Sequence, residues 1–177
     1  VDGQEDPLPL LPITFSMIAE QEQKRDPAAF NQQLAIWQQR LALPLPTIDA
    51  LFRKPHIQQA EPSEPFLHAT ASLSSELTQA TISLARNQQT TLFLLLLSIY
   101  DLLLSRRTGN HDVMVGTVVA GRNAPGAADV IGTFAHNVPL RTDLAGCDQF
   151  AQVLRRVETT VHEALTDEGL PFGRISA

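Results

Sequence analysis

Cysteine is almost missing from this chain, because Cys147 is the only one among its 177 residues. A single thiol excludes an internal disulfide and any metal cage built from thiolates. Cys147 lies in a Gly-Cys-Asp turn with no adjacent His or Lys to stabilise a thiolate, so a nucleophilic role is not favoured. This cysteine usage fits a reducing compartment, and we expect a cytoplasmic protein.

The familiar short motifs of catalysis and cofactor binding are missing as well. The sequence contains no GxSxG nucleophile elbow, no phosphate-binding glycine loop, no HExxH and no CxxC. Its five histidines, at positions 56, 68, 111, 136 and 162, do not pair at metal-ligand spacing with a carboxylate or another histidine. We therefore predict no metal site and no complete set of catalytic residues within the chain.

Basic stripes and long apolar runs are also lacking. The net charge is -6, and the basic residues form no stripe beyond the Arg106-Arg107 and Arg155-Arg156 pairs. This pattern argues against a nucleic-acid surface. The apolar run from Leu92 to Leu97 is too short to span a bilayer, and no signal peptide begins at Val1, so no membrane association is expected.

The composition that remains is that of a globular protein. With 44% hydrophobic and 18% charged residues, the chain can build one core or part of a larger one. Its first twelve residues carry three prolines and three acids before any periodic segment begins. We therefore predict a proline-rich linker between subdomains over residues 1–14 and a folded region over residues 15–177.

Periodicity and capping residues predict the order α, loop, β, α, α, β, β, α. Residues 15–42 are predicted to be helical, either as two helices or as one helix kinked at Asp26-Pro27. The segments predicted after them are, in order, a proline-rich loop at 43–65, a strand at 66–73, helices after Ser74 and Thr91, strands at 113–119 and 138–142, and a helix at 148–165. The helix after Thr91 is apolar nearly all round. That pattern predicts burial of most of its faces inside a larger protein.

The stretch from Asp112 to Leu144 carries the candidate site. A β-branched strand leads through Gly121 into a polar loop, and a second strand returns. Gly116 and Gly121 would let the backbone approach a ligand, and Arg122 could hold a carboxylate bidentately or remain a solvent-exposed turn residue. His136 and Asn137 lie between runs that should flank a cleft. We consider them substrate-contact candidates, with a structural hydrogen bond as the alternative for His136.

Several blocks of the sequence resemble one family, the condensation domains of nonribosomal peptide synthetases. DVMVGTVVAGRN and IGTFAHNVPLR are similar to its GTPVAGR and IGxFVNTLPLR blocks. PLPLLPITFSMIAEQ resembles PLPxLPIQYADYAVWQ, QQLAIWQQRLA resembles QLAYWRERLA, and LPFGRI resembles LPFERL. The blocks occur in the family's order along almost the whole chain, which makes the combined signal much more specific than any single motif.

The resemblance implies a fold, a reaction and partners. The fold is a two-layer α/β sandwich like that of chloramphenicol acetyltransferase, in which two similar halves face each other across a tunnel. This chain corresponds to the end of the first half and much of the C-terminal half. The implied reaction is amide formation between donor and acceptor thioesters on carrier domains. The implied cofactors are the phosphopantetheine arms of those carriers, with none bound directly by this chain.

The resemblance also places the family's catalytic motif elsewhere. The HHxxxDG motif, with its general base and structural Asp, belongs to the first half and does not occur in this sequence. No catalytic residue is therefore assigned within the chain, which is predicted to be inactive alone. Arg122 corresponds to the arginine that is thought to pair with that Asp, which implies a structural clamp between the halves.

Three blocks depart from the family pattern. FSMIAEQ lacks the usual Asp and Trp, FAHN replaces FVNT, and DEGLPFG replaces HQDLPFE. These departures leave alternatives open: an epimerisation, heterocyclising or ester-forming relative, or a catalytically silent domain that docks or recruits a partner. The sequence of the HHxxxDG region would discriminate among them.

Overall fold

The protein is described here from a computed structural model that covers residues 11–47, 70–167, 169–170 and 172–175. The elements in these ranges are α1 (Phe15–Gln23), α2 (Pro27–Arg40), α3 (Ser75–Asn87), α4 (Leu92–Thr108), β1 (Asp112–Val119), a 3₁₀ turn (Ala127–Asp129), β2 (His136–Asp143), α5 (Phe150–Thr166) and α6 (Phe172–Ile175). β1 and β2 pair in a two-stranded sheet. The described residues fall into two compact units: the first holds 11–42, 116–138 and the residues from 167 onward, and the second holds 43–47, 70–115 and 139–166.

Helix starts follow the capping residues in the sequence. Asp26 accepts a hydrogen bond from the Ala28 amide and Pro27 occupies the first helical position, so the region 15–42 forms two helices. Ser74 and Thr91 cap α3 and α4 through the amides three residues on. Gly109 ends α4 in the left-handed conformation with φ 73°. These predicted boundaries are confirmed.

Other predicted segments are wrong in part or lie partly outside the described residues. The strand predicted at 66–73 is wrong for residues 70–73, which form no regular structure, and residues 66–69 lie outside the described ranges. Residues 43–47 of the predicted loop are irregular as expected, while 48–65 lie outside the description, as do residues 1–10 of the predicted linker. The boundary at residue 14 therefore stays a prediction. The short α6 was not predicted.

The sheet is antiparallel. Leu144, which follows β2, donates its backbone N–H to the carbonyl of His111, which precedes β1, at 2.8 Å. Close to this bond, the Arg141 guanidinium donates three hydrogen bonds of 2.7 to 3.1 Å to the Asp112 carboxylate. The same guanidinium donates to the Pro44 carbonyl at 3.0 Å. This bidentate pair raises the pKa of Arg141 and fixes the register of the strand ends in the second unit.

The core of the second unit lies where α4 packs on α5. As predicted, α5 is amphipathic and turns one stripe inward, with Val153, Val157 and Val161 each 7% exposed or less. Leu95 and Leu104 of α4 are buried in the same unit, as is Leu140 of β2.

One face of α4 is exposed within this chain, and its predicted burial inside a larger protein stays a prediction. Its large apolar side chains Phe93, Leu96, Tyr100 and Leu103 are all 45% exposed or more. The buried stripe instead includes Ser98 and Asp101. Because α4 is apolar nearly all round, its hydrophobic pattern does not reveal which face meets α3 and α5 within this chain.

Asp101 is the most unusual group in this core. It is 1% exposed, and neither carboxylate oxygen has a hydrogen-bond partner among the described residues. The nearby Thr142 hydroxyl donates to Thr160 at 3.3 Å and lowers the pKa of Asp101 by less than burial raises it. Burial raises the pKa of Asp101 from 3.8 to about 6.

In the first unit, α2 and the turn before it contact the segment that follows α5. The Trp37 indole, 1% exposed, donates to the Asp167 carbonyl at 2.9 Å. Arg40 pairs with the Asp167 carboxylate at 2.8 Å, and Arg25 donates to the Gly169 carbonyl at 2.6 Å. These contacts fix Asp167 and Gly169, and Leu170 is 1% exposed.

Among the described helices, none is by itself long and apolar enough to cross a bilayer. Taken together, α3 and α4 satisfy length and composition, but the chain bends by 104° between them.

Candidate functional site

A cavity of about 370 Å³ lies within the first unit, and we call it the α1 pocket. Its apolar wall comes mainly from Phe15, Ile18, Ala19, Phe134 and Leu170, and its polar edge from Glu22, Asn123, Thr133 and His136. The contributing segments are one face of α1, the turn after β1, the approach to β2, and residues 169–170. The stretch singled out from the sequence therefore does line a pocket.

Gly121 is required at the turn that closes one side of this pocket. Its φ is +63°, in the region that side chains rarely adopt. A Cβ atom there would collide with the Phe134 carbonyl oxygen and lie 2.9 Å from Nδ1 of His136. Gly121 thus permits the close approach of the Phe134 carbonyl, whereas nothing lies within 4 Å of a Cβ at Gly116. The approach of either backbone to a ligand stays a prediction.

Replacing Gly121 with Ala should lower the free energy of unfolding by about 1–3 kcal/mol, because the backbone is strained and the Phe134 carbonyl must move. The matched change Gly116→Ala should leave stability within about 0.5 kcal/mol, since its Cβ enters open space. Thermal unfolding of both variants measures this difference. Equal melting temperatures for the two variants would contradict the close approach at Gly121.

Arg122 holds the loop between the strands. Its Nη1 atom donates to the carbonyls of Ala127 and Val130, both at 2.7 Å, and Nη2 lies 3.5 Å from the Gly132 carbonyl. The guanidinium also stacks 4.5 Å from the centre of the Phe134 ring. Arg122 is therefore a clamp, but its described partners are carbonyls of its own loop. Its pairing with a carboxylate in the other half of the domain stays a prediction.

A small apolar cluster supports the clamped loop. Ala127 and Val130 are buried against Ile18 of α1. The Phe15 and Phe134 rings meet edge to face with centroids 5.1 Å apart. Ala127 and Val130, which accept hydrogen bonds from Arg122, thus also anchor the loop to α1. This packing gives the pocket a rigid wall.

The structure separates the two substrate-contact candidates. His136 is half-buried and lines the α1 pocket, with Nδ1 3.2 Å from the Phe134 carbonyl. This contact orients the ring. Asn137 is exposed and is not among the lining residues, because neighbouring residues on a strand point to opposite faces. Substrate contact by either residue stays a prediction.

Glu22 and Asn123 line the pocket, although the sequence analysis did not single them out. For Glu22 a signal was available, since Phe15, Ile18 and Glu22 are spaced as one helix face. Glu22 approaches Arg25 at 3.8 Å with 61% of its side chain exposed, so this pair contributes little to stability.

The pocket suits binding and positioning rather than a complete reaction. Within the described part of the chain, no group of three His, Cys, Asp or Glu side chains could hold a metal ion. The lining offers one imidazole, one largely exposed carboxylate and a hydrophobic wall. Such a site can hold an apolar group and orient a polar one beside it.

Comparison with known proteins gives a consistent result. The family model described as "Condensation domain" matches residues 3–177. Phosphinothricin tripeptide synthetase PhsC of Streptomyces viridochromogenes is 33% identical over 174 residues, which are 98% of this chain and 16% of that protein.

Solved structures agree on the fold. The SgcC5 protein of Streptomyces globisporus superposes with a TM-score of 0.67 at 30% identity, over 96% of this chain and 38% of that one. The first condensation domain of the calcium-dependent antibiotic synthetase gives a TM-score of 0.74 at 22% identity, over 98% of this chain and 37% of that one. The predicted chloramphenicol acetyltransferase-like α/β fold is confirmed. The chain spans less than two fifths of each of these two structures.

Proposed function

This chain belongs to the condensation-domain family, and on that premise we propose that it forms part of a domain that makes amide bonds between carrier-bound thioesters. The observation that carries the proposal is the α1 pocket. Two of the blocks that resemble the family, around Arg122 and His136, meet at one cavity. The hydrogen bond from Arg122 to the Ala127 carbonyl and the contact of His136 with the Phe134 carbonyl hold its walls in place. A pocket of this kind supports a reaction whose main requirement is the placement of two reactants.

The proposed chemistry demands little from this chain beyond positioning. A thioester is an activated acyl donor, so an acceptor amine attacks its carbonyl carbon, the new C–N bond forms and the thiol leaves. The amine also loses a proton, and by resemblance the base for that step belongs to the HHxxxDG motif of the first half. His136 is proposed to hydrogen-bond the reacting groups at the edge of the pocket, and Arg122 to keep the loop in place.

Partners and location follow from the same proposal. The substrates arrive on phosphopantetheine arms of carrier domains, so the chain itself binds no cofactor directly. Neighbouring domains of a peptide-synthesising assembly line are the proposed partners, and a cytoplasmic location is proposed with them.

The 177-residue chain alone should form no amide bond between two loaded carrier proteins, because the general-base motif is not within it. The intact protein that carries this chain should catalyse the transfer under the same conditions, with product followed by mass spectrometry. Turnover by the isolated chain above the uncatalysed rate would contradict the assignment of the base. Failure of the intact protein with every pair of substrates would contradict the proposed function.

Substitution of Arg122 should lower the stability of the intact protein, whereas substitution of His136 should lower its turnover. Arg122→Ala removes the donor to two carbonyls at 2.7 Å and should cost about 1–2 kcal/mol of stability, discounted for the exposure of Arg122. Arg122→Lys should retain only part of this stability, since an ammonium group lacks the planar set of N–H donors of a guanidinium. His136→Ala should leave the melting temperature nearly unchanged and lower turnover roughly 10-fold or more. Melting curves and condensation rates on the same variants would show whether the two roles are reversed.

A further inference from the structure

The volume and lining of the α1 pocket suggest what it accepts. Ligand pockets usually enclose about 300–1,000 Å³, so a cavity of about 370 Å³ is at the small end of that range. It is large enough for any single side chain. Its apolar lining includes Phe15, Ile18, Phe134 and Leu170, whose side chains offer no hydrogen bonds.

Desolvation disfavours one class of side chain in this cavity. Glu22 is the one charged side chain among the described lining residues, but Arg25 approaches it at 3.8 Å and the Arg122 guanidinium stacks on Phe134, so the charges around the lining are of both signs. An anionic side chain would lose its hydration against the apolar part of the lining. An apolar side chain loses nothing of that kind and gains by leaving water.

The walls are fixed independently of any ligand. Arg122 ties the loop that carries Phe134, the Phe15 ring packs on Phe134, and Arg25 holds Gly169 through its carbonyl. A Cβ at Gly132 would run into the Phe15 ring, so this side has little room to give way. Preformed walls allow a pocket to discriminate by size, because a larger group cannot be accommodated without cost.

We infer that the α1 pocket is a specificity pocket that admits the compact apolar side chain of a thioester-borne acyl or aminoacyl group. Ala19 is the residue that sets its capacity. It lies on α1 between Ile18 and Glu22 and contributes the smallest side chain of that helix face to the lining. This inference rests on the proposed function for the identity of the substrate, but the shape and polarity of the pocket are independent of it.

The test uses the intact protein and the variant Ala19→Leu, with Ala35→Leu as matched control. Ala35 is an exposed residue of α2 and does not line the pocket. Condensation is measured with Ala, Leu and Asp side chains, first on the donor with a constant acceptor and then on the acceptor with a constant donor. A difference of one methylene group in a hydrophobic pocket changes kcat/KM by about 10–200-fold.

The parent should prefer Leu to Asp on one of the two carriers, and Ala19→Leu should lower kcat/KM for Leu at least 10-fold relative to Ala on that carrier alone. The control should keep the parent ratio. An unchanged Leu-to-Ala ratio in Ala19→Leu on both carriers would overturn the specificity pocket while leaving the proposed function in place.

A binding measurement separates the two proposals further. Non-hydrolysable pantetheine amides bearing Ala, Leu or Asp are titrated into parent, Ala19→Leu and control protein by calorimetry. If no substrate pair condenses, the proposed function fails. A selective loss of Leu-amide binding in Ala19→Leu then still supports the pocket, and unchanged binding in that variant overturns it.

Discussion

Leu95→Asp is expected to unfold the 177-residue chain, so that no cooperative melting transition is observed. Leu95 is 0% exposed in the core between α4 and its neighbours, so the new carboxylate would be buried without a partner. A change of this kind costs more than about 4 kcal/mol, a large fraction of the stability of a small domain. Thermal unfolding followed by circular dichroism measures the effect.

Leu96→Asp is the matched control for that experiment. Leu96 is the next residue of the same helix, but it is 45% exposed, so its carboxylate stays in water. Its cost should be within about 1 kcal/mol. A parent-like melt for Leu95→Asp, or a collapse of Leu96→Asp in the isolated chain, would show that the exposed and buried faces of α4 have been interchanged.

Asp101 should make the chain less stable as pH rises from about 4 to 6. Because the pKa of Asp101 is raised to about 6 by burial, the folded state binds more protons than the unfolded state in this window. The stabilisation from protonated Asp101 is fully present below about pH 4 and is lost as the pH rises through about 6. A shift of about two units corresponds to a loss of about 3 kcal/mol by neutral pH.

Asp101→Asn should remove most of that dependence and raise stability at pH 7 by about 1–3 kcal/mol, since an amide carries no charge to desolvate. Asp129→Asn is the control, because Asp129 is exposed. Urea titrations at pH 4, 5, 6 and 7 give the free energy of unfolding for all three proteins. An identical pH profile in parent and Asp101→Asn would rule out the buried carboxyl as the cause.

Much of the secondary structure could be predicted because its determinants are local. Asp26, Ser74 and Thr91 each cap a helix through an amide two or three residues away, and such pairs are visible in sequence. The α4 orientation could not be predicted in this way. Its hydrophobic residues cover all faces, and the side that turns inward is set by contact with α3 and α5.

The candidate site was only partly predictable for a similar reason. Strand alternation could have separated His136 from Asn137, and the period of α1 could have pointed to Glu22. The carbonyl partners of Arg122 were beyond prediction, because they depend on how the loop folds back between Ala127 and Gly132. The family resemblance supplied the fold, whereas the pocket geometry came from the structure.

The loop after β1 has a consequence for recombining relatives of this protein. The carbonyls that Arg122 contacts lie five, eight and ten residues beyond it, so its described hydrogen-bonding partners travel with it in one short stretch. The stretch from Gly121 to His136 therefore carries its own arginine clamp, but its buried side chains still require the face of α1 on which they pack. A chimera should preserve the residue count between Arg122 and Gly132 and place the junctions inside the strands.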